Sequence, residues 1–409
     1  MRRQLPNPRE LAPLMRFSRP RLDRTAARLA RAADVGDVRR IARRVTPKGP
    51  FDYVDGAANS EESMRRNTEA YRNLELRPTV LRDVGEVDLS TEVFGQRSEL
   101  PVGLAPTGFT RMMHAAGEPA VARAAQSAGV PYTLSTMGTT AIEDLAAQVP
   151  DARRWFQLYS WREDRDRARG LVERAQENGY DTLMVTVDTA TGGLRYRDHR
   201  NGMTIPPQLT ARTLVDASYR PRWWFDFLTT EPLRFATLSS SAGDSMDVIM
   251  KTFDPTLSWA DIEWIREVWS GPLLVKGIQT PSDAQRALDA GCDGVYLSNH
   301  GGRQLDRAPV PLAELPGIRE VLGPDVPIIV DSGITSGVDV LGALALGADF
   351  TMIGRAYLYG LMAGGQRGVE RVLDILRAEL QVGMQLLGVR SVDELGPQHV
   401  RLDHRGPRD

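Results

Sequence analysis

Pro272-Leu-Leu-Val-Lys-Gly-Ile-Gln-Thr-Pro-Ser-Asp-Ala-Gln-Arg-Ala-Leu-Asp-Ala-Gly-Cys-Asp-Gly-Val-Tyr-Leu-Ser298 is the stretch whose reading decides the architecture. Two short apolar runs, Pro272–Lys276 and Gly294–Ser298, flank a helical pattern over Ser282–Ala290. Apolar runs without alternation are how strands covered on both faces read, whereas strands with one wet face alternate. Strand, polar turn, helix and strand in this order form one βαβ unit. The same succession precedes it at Pro101–Ala105, Tyr132–Ser135, Trp155–Tyr159 and Thr182–Val187, and follows it at Pro327–Val330 and Phe350–Ile353. Helical patterns lie between, as at Glu163–Asn178 and Gly337–Leu346. This alternation predicts a closed parallel (β/α)8 TIM barrel of the α/β class; an open doubly wound sheet is the alternative.

Working outward, residues 1–95 read as helices plus an extended segment packing on the barrel, 96–390 as the barrel, and 391–409 as a C-terminal tail. The spacing breaks once, after the fourth strand, where 189–257 form a long insertion with Trp223-Trp224-Phe225 and Ser239-Ser-Ser-Ala-Gly243. Such insertions usually cover the site at the C-terminal face of a barrel. Partial disorder is expected near Ser239–Asp244.

A hydrophobic fraction of 42% and a charged fraction of 25% are those of an ordinary globular chain. The one cysteine, Cys292, excludes an intrachain disulfide and fits a reducing interior; it reads as small buried filler. No signal peptide is visible at the start, and the longest apolar stretch, Leu341–Gly365, is broken by Asp349 and Arg355, which argues against a membrane span. The net charge of −2 gives no argument for nucleic acid. The first 44 residues are nevertheless rich in arginine, from Arg2 and Arg3 to Arg43 and Arg44, against only Glu10, Asp23, Asp34 and Asp37. This basic arm reads as an Arg-rich solvated helix pair, or as a contact for an anionic membrane face.

Barrel chemistry sits where strands end. Here the ends carry Gln157 and Tyr159, Thr186 and Asp188, Lys276, then Ser298, Asn299, His300 and Arg303, then Asp331, then Gly354 and Arg355. His300 lies past a buried strand and before Gly301-Gly302, which permit close backbone approach to a ligand. A neutral imidazole accepts a proton near pH 7, and Asp188 is placed to hold its other nitrogen. Arg195 and Arg303 form a candidate carboxylate clamp, with Arg197 competing with Arg195. Asp331-Ser-Gly-Ile-Thr-Ser-Gly337 and Ile353-Gly-Arg355 are turns that suit a phosphate at helix N-termini. Lys276 would stabilise negative charge on a reduced cofactor ring.

Together these residues resemble the FMN-dependent 2-hydroxy-acid dehydrogenases and oxidases, from about Asp52 to Val400, with Ser298-Asn-His-Gly-Gly-Arg-Gln-Leu-Asp306 as the most specific motif. Phe51-Asp-Tyr-Val-Asp-Gly56, Leu194-Arg-Tyr-Arg-Asp198, Pro221-Arg-Trp-Trp224 and Asp331-Ser-Gly-Ile334 look most similar to bacterial respiratory-type L-lactate dehydrogenases. The resemblance implies FMN as cofactor, His300 as base with Asp188 as its partner, and Arg195 and Arg303 on the substrate carboxylate. It implies Tyr53 and Tyr159 beside the substrate. Ala105, Pro106, Thr107, Ser135, Gln157, Thr186 and Lys276 would hold the flavin ring; Ser298, Asp331, Gly333, Gly354 and Arg355 would surround the ribityl chain and phosphate. It also implies oxidation of an L-2-hydroxy acid such as L-lactate, reoxidation by a quinone or another carrier, and a homotetramer, cytoplasmic or peripheral on the inner membrane face. The base removes either the hydroxyl proton, with hydride leaving the α-carbon, or the α-proton itself. An oxygen-using oxidase is the alternative, and a non-catalytic flavin- or phosphate-binding barrel a more remote one.

Two positions depart from the family pattern. Thr335 stands where many members carry an arginine that contacts the phosphate, so Arg355, backbone amides and the hydroxyls of Thr335 or Ser336 are expected to do more. Met137 stands where glycolate oxidase has tryptophan, which implies an apolar, adaptable side-chain pocket. Gly108, which many oxidases replace by alanine, favours a dehydrogenase.

Overall fold

The computed structural model describes residues 22–202, 215–216, 218–238 and 253–402. The first part of the basic arm and the Ser239–Asp244 segment lie outside them. Eight parallel strands close into a barrel: β1 (Val102–Leu104), β2 (Tyr132–Ser135), β3 (Arg154–Leu158), β4 (Thr182–Thr186), β5 (Leu273–Ile278), β6 (Gly294–Leu297), β7 (Ile328–Val330) and β8 (Phe350–Ile353). Each predicted apolar run is a barrel strand, and β8 pairs with β1 to close the ring. The open sheet is excluded. Nearly every strand residue is buried, because side chains pointing in fill the barrel and those pointing out meet the helices.

The interior packs as its own cluster of Trp155, Met184, Leu274, Tyr296, Ile329, Phe350 and Met352. It is plugged from below by a hairpin, Thr91–Val93 with Gln96–Ser98, which spans the expected boundary at residue 95. Val93 joins the cluster and Phe94 packs edge-on to Trp155, 6.0 Å between centroids. Helices α1 (Val35–Val45), α2 (Lys48–Asp55) and α3 (Glu62–Arg72) precede the barrel. Helix α1 buries Val35, Val38 and Ala42 on one stripe, and Asp34 caps it by accepting from Asp37 N–H. Leu74–Leu76 pairs antiparallel with Val400–Leu402, joining the N-terminal segment to the tail.

Within the excursion, α4 (Pro221–Thr229) has no buried residue. Trp223 stacks on Phe227 at 4.8 Å, while Phe225 and Leu228 are 67% and 68% exposed. The last two barrel strands lead into α5 (Gly337–Ala345) and α6 (Arg355–Gly364), and α7 (Gln366–Leu387) follows. Among the described residues no helix is long and apolar enough to cross a membrane. Cys292 is free and buried, as a filler would be.

Candidate active site

Strand side chains repeat every second residue, so the position two beyond each interior core residue also faces the barrel axis, one layer higher. Trp155 leads to Gln157, Met184 to Thr186, Leu274 to Lys276, Tyr296 to Ser298, Ile329 to Asp331 and Met352 to Gly354. The polar strand ends are therefore a single layer above the apolar core. Ala105 and Ser135 complete it and, with Lys276, Asp331 and Gly354, line a cavity of about 970 Å³. That is the upper range for small-molecule and cofactor sites. Ser135 donates to Gln157 Oε1 at 2.7 Å, and Lys276 Nζ to Ser298 Oγ at 3.2 Å. Gln157 Nε2 and Thr186 Oγ1 are buried with no partner. Buried polar atoms are mostly paired, so a ligand or an ordered water at the strand ends would complete these two.

His300 sits at the rim in a left-handed conformation, φ +57°. A non-glycine residue held there stores strain, and the loop around it is pinned accordingly. His300 N–H donates to Ser298 Oγ, Gly301 N–H to Ser332 Oγ, and Gly302 N–H to Asn299 Oδ1. Asn299 in turn pairs amide-to-amide with Asn67 of α3, both bonds at 2.8 Å. Gln304 reaches the carbonyls of Asp188 and Thr191, and Asp306 accepts from Ser60 and Ser63. Asn67, Asn299, Ser332, Gln304 and Asp306 thus hold the loop, a role that sequence reasoning missed. Their tethers lie far away in the chain.

His300 Nδ1 lies 3.1 and 3.3 Å from the Asp188 carboxylate oxygens. Asp188 can approach because Gly277 packs against it; a Cβ at Gly277 would stand 2.8 Å from Asp188 Cβ. Burial pushes the His300 imidazole below its ordinary pKa, and Lys276 adds to this, although Asp188 opposes both. Burial alone would raise the Asp188 carboxyl, but His300 and Lys276 hold it low. The resting pair is a neutral imidazole on an ionised carboxylate.

In the same cavity the Tyr53 ring has two guanidinium groups near it, 5.5 Å from Arg195 and 4.8 Å from Arg303. Arg303 is half-buried and partly turned to the backbone carbonyls of Tyr53 and Gly56. Burial first, then the like charge of Arg195, pulls its pKa down to about 10. For Arg195 burial works the same way, but Tyr53 and a 2.6 Å bond to Asp198 outweigh it and raise its pKa. Two cations facing one cavity would be relieved by an anion. The competing Arg197 is spent on Asp55 and Glu61. Tyr159, whose burial holds its hydroxyl well above the usual range, and Met137 line the same end, with Pro106, Thr107 and Gly108 beside them. So do Phe253, edge-on to Tyr159 at 5.9 Å, and Phe109, packed on Phe235 at 4.3 Å. No pattern marked those aromatics beforehand, since two of them come from the irregular excursion.

The far end of the cavity holds Gly333, Thr335, Ser336 and Arg355. The hydroxyls of Thr335 and Ser336, expected to replace the missing arginine, are spent locally. Asp339 accepts from Thr335 Oγ1 and from the Thr335 and Ser336 amides, and Ser336 Oγ accepts from Asp339 N–H. Gly337 N–H is taken by Glu379. The N-terminus of α5 is therefore filled, whereas α6 begins at Gly354 with no side-chain cap. The Arg355 guanidinium turns away to three carbonyls, Val54, Gly56 and Gly301.

A family described as FMN-dependent dehydrogenase matches residues 42–402. This chain belongs to that family. It is 53% identical to a putative L-lactate dehydrogenase of Mycobacterium tuberculosis over 406 residues, covering 99% of this chain and 98% of the relative. An L-lactate dehydrogenase of Xanthomonas campestris is 43% identical over 366 residues, 88% of this chain and 94% of that one. Among solved structures, the monotopic membrane protein (S)-mandelate dehydrogenase superposes with a TM-score of 0.87 at 37% identity, over 91% of this chain and all of the other. A mandelate oxidase does so at 0.77 and 36%, over 90% and 98%. The protein is thus an FMN-dependent 2-hydroxy-acid dehydrogenase or oxidase. The site fits FMN: Gln157 and Thr186 hold buried polar atoms without partners at the strand ends, and Lys276 lines a cavity of sufficient size.

Proposed function

We propose that this enzyme oxidises L-lactate to its 2-oxo acid and passes the electrons to a quinone or another carrier. The observation that carries the reading is the gathering of Arg195, Arg303 and Tyr53 in the cavity that the Asp188-held His300 also lines. In this reading Arg195, Arg303 and Tyr53 bind the carboxylate, Tyr159 orients the hydroxyl, and Met137 with Phe253 shelters the small side chain. His300 Nε2 takes the proton and Asp188 stabilises the imidazolium. Bound FMN supplies the two-electron acceptor, and Lys276 offsets the charge that accumulates there. Ala105, Ser135, Gln157 and Thr186 hold its ring. Ser298, Asp331 and Gly333 hold the chain beyond, and the uncapped start of α6 at Gly354 takes the phosphate.

The names of the curated relatives and Gly108 support lactate dehydrogenation. The softness of Met137 and the mandelate-specific structural neighbours favour a second reading, a larger 2-hydroxy acid in the same pocket. Anaerobic mixing with L-lactate, glycolate and (S)-mandelate, followed by a quinone analogue or oxygen, tests both. Bleaching by lactate first and reoxidation by quinone first is the expected result. Preferential bleaching by mandelate would favour the second reading, and faster reoxidation by oxygen would make the enzyme an oxidase.

For assembly and location we infer a homotetramer, peripheral on the inner membrane face through the basic N-terminal arm. The arginine excess before residue 45 supports the membrane contact, and so does the description of the (S)-mandelate dehydrogenase as a monotopic membrane protein; the tetramer rests on the family resemblance alone. The exposed aromatics of α4 are compatible with it. Co-sedimentation with anionic vesicles that survives neutralisation of those arginines would refute the arm's role.

A further inference from the structure

The geometry points to Arg355 as a positioning residue that fixes the His300 loop against the Tyr53 segment; the inference rests on the functional reading above and adds a role to it. Arg355 opens α6, directly after the last barrel strand. Its Nε donates to Val54 O at 2.9 Å, Nη1 to Gly301 O at 2.8 Å and Nη2 to Gly56 O at 2.8 Å. Each of its three nitrogens thus serves a different carbonyl, and the carbonyls belong to two segments of unlike function. Val54 and Gly56 bracket the C-terminal end of α2, where the last carbonyls of a helix lack intrahelical donors and favour a cation. Gly301 follows His300 in the left-handed turn, with φ +63°.

The two segments share no regular secondary structure, so their separation is set by one backbone hydrogen bond and by side chains. Ala58 N–H donates to Gly302 O, and Arg303 donates to Tyr53 O and Gly56 O. Arg355 and Arg303 therefore share Gly56 O as acceptor. The space is closed around the fork as well, since a Cβ at Gly301 would stand 2.5 Å from Arg355 Nη1. A planar guanidinium satisfies three divergent carbonyls at once, and a lysine ammonium on a flexible stem does not. A positive charge near the phosphate is supplied equally by either residue. Charge and fork are therefore separable by one substitution.

The test compares wild type, R355K and R355Q as FMN-loaded enzyme. Three quantities are read: FMN per chain, the dissociation constant of pyruvate from its perturbation of the flavin spectrum, and the rate of anaerobic flavin reduction per bound flavin at saturating lactate. Partial unfolding lowers amplitudes and leaves per-flavin rates intact, so the rates report placement of His300 and Tyr53. R355K is expected to keep about one FMN per chain, bind pyruvate at least tenfold more weakly and reduce at least tenfold more slowly. Wild-type affinity and rate in R355K would overturn the proposal. So would loss of FMN in R355Q with wild-type behaviour of the fraction that rebinds it, which would make Arg355 a phosphate ligand only. If R355K fails to fold, G301A displaces the fork from the other side and should show the same paired loss; normal kinetics there would also overturn it. A wild-type flavin untouched by lactate would sink the functional reading instead, and is seen before any variant is compared.

Discussion

Replacing Asp188 by asparagine isolates the electrostatic part of the proposed base. The substitution keeps shape, so the tight contact behind Asp188 at Gly277 is preserved. It removes one buried negative charge whose oxygens lie 3.1 and 3.3 Å from His300 Nδ1. The carboxylate and imidazolium charge centres are then about 4 Å apart, worth about 4 kcal/mol at an effective dielectric of about 20. This stabilisation exists only once the imidazole has taken its proton, so it lowers the barrier and not the substrate's ground state. The full term corresponds to about a thousandfold in rate. An amide oxygen still accepts from Nδ1–H, so two to three orders of magnitude is the expected loss. Lys276 and Arg303 both depress the imidazole's basicity and would act unopposed in the variant. Stopped-flow reduction of the anaerobic enzyme by L-lactate measures the effect per bound flavin. FMN content and the lactate dissociation constant should change by less than about threefold. A D188N enzyme reduced within tenfold of the wild-type rate would show that Asp188 only orients the ring, and the charge argument would fail.

Because burial depresses the His300 pKa from 6.5, its neutral form should persist to lower pH than in a free histidine. The reduction rate should rise with pH along a limb centred below 6.5 and then level off; a limb centred above 7 would contradict this. Arg303→Lys should raise the lactate dissociation constant roughly 10- to 100-fold, the worth of a charged hydrogen bond of about 1.5–3 kcal/mol, with a smaller effect on the saturated rate. Thr186→Val replaces a buried hydroxyl that has no partner in the protein. The apoprotein should melt no lower than wild type, while FMN binds about tenfold more weakly; unchanged FMN affinity would show that the hydroxyl is not aimed at the cofactor. Gly108→Ala puts a Cβ 2.8 Å from Met137 Cβ. Overpacking of about 1–3 kcal/mol should lower the melting temperature and narrow the pocket against mandelate more than against lactate, as a ratio of kcat/KM values will show.

The eight strands were legible because a strand buried on both faces has no polar residues to dilute it, and each apolar run became a barrel strand within one or two residues. The layer above the core was legible for a related reason. Polar residues such as Gln157, Thr186 and Lys276 stand out at the ends of apolar runs. Period-two geometry then turns isolated oddities into one surface. What stayed hidden is the pairing of side chains distant in the chain. Asn67 pairs with Asn299 from 232 residues away, and nothing in either neighbourhood marks the match. The competition between Arg195 and Arg197 was likewise undecidable in sequence. Two positions apart on a short helical turn, one side chain falls over Tyr53 and the other onto Asp55 and Glu61.

The phosphate end shows why the same motif reads differently once side chains are placed. Turns after β7 and β8 both lead into helices, and sequence treats their N-termini as equal anion sites. They are not equal, because Ser336, Asp339 and Glu379 already occupy the amides at the start of α5. Burial raises the pKa of both Asp339 and Glu379, so the two carboxylates are held there at a disadvantage that their amide bonds offset. An arginine at position 335 would sit beside this acidic pair; threonine instead joins its hydrogen bonding. Thr335 thus accompanies a helix start whose amides are already taken. The start of α6 at Gly354 carries no such side-chain cap, and the adjacent Arg355 side chain bonds to carbonyls of the His300 loop and of the C-terminal end of α2. Under the proposed function the phosphate would therefore go to α6 and not to α5.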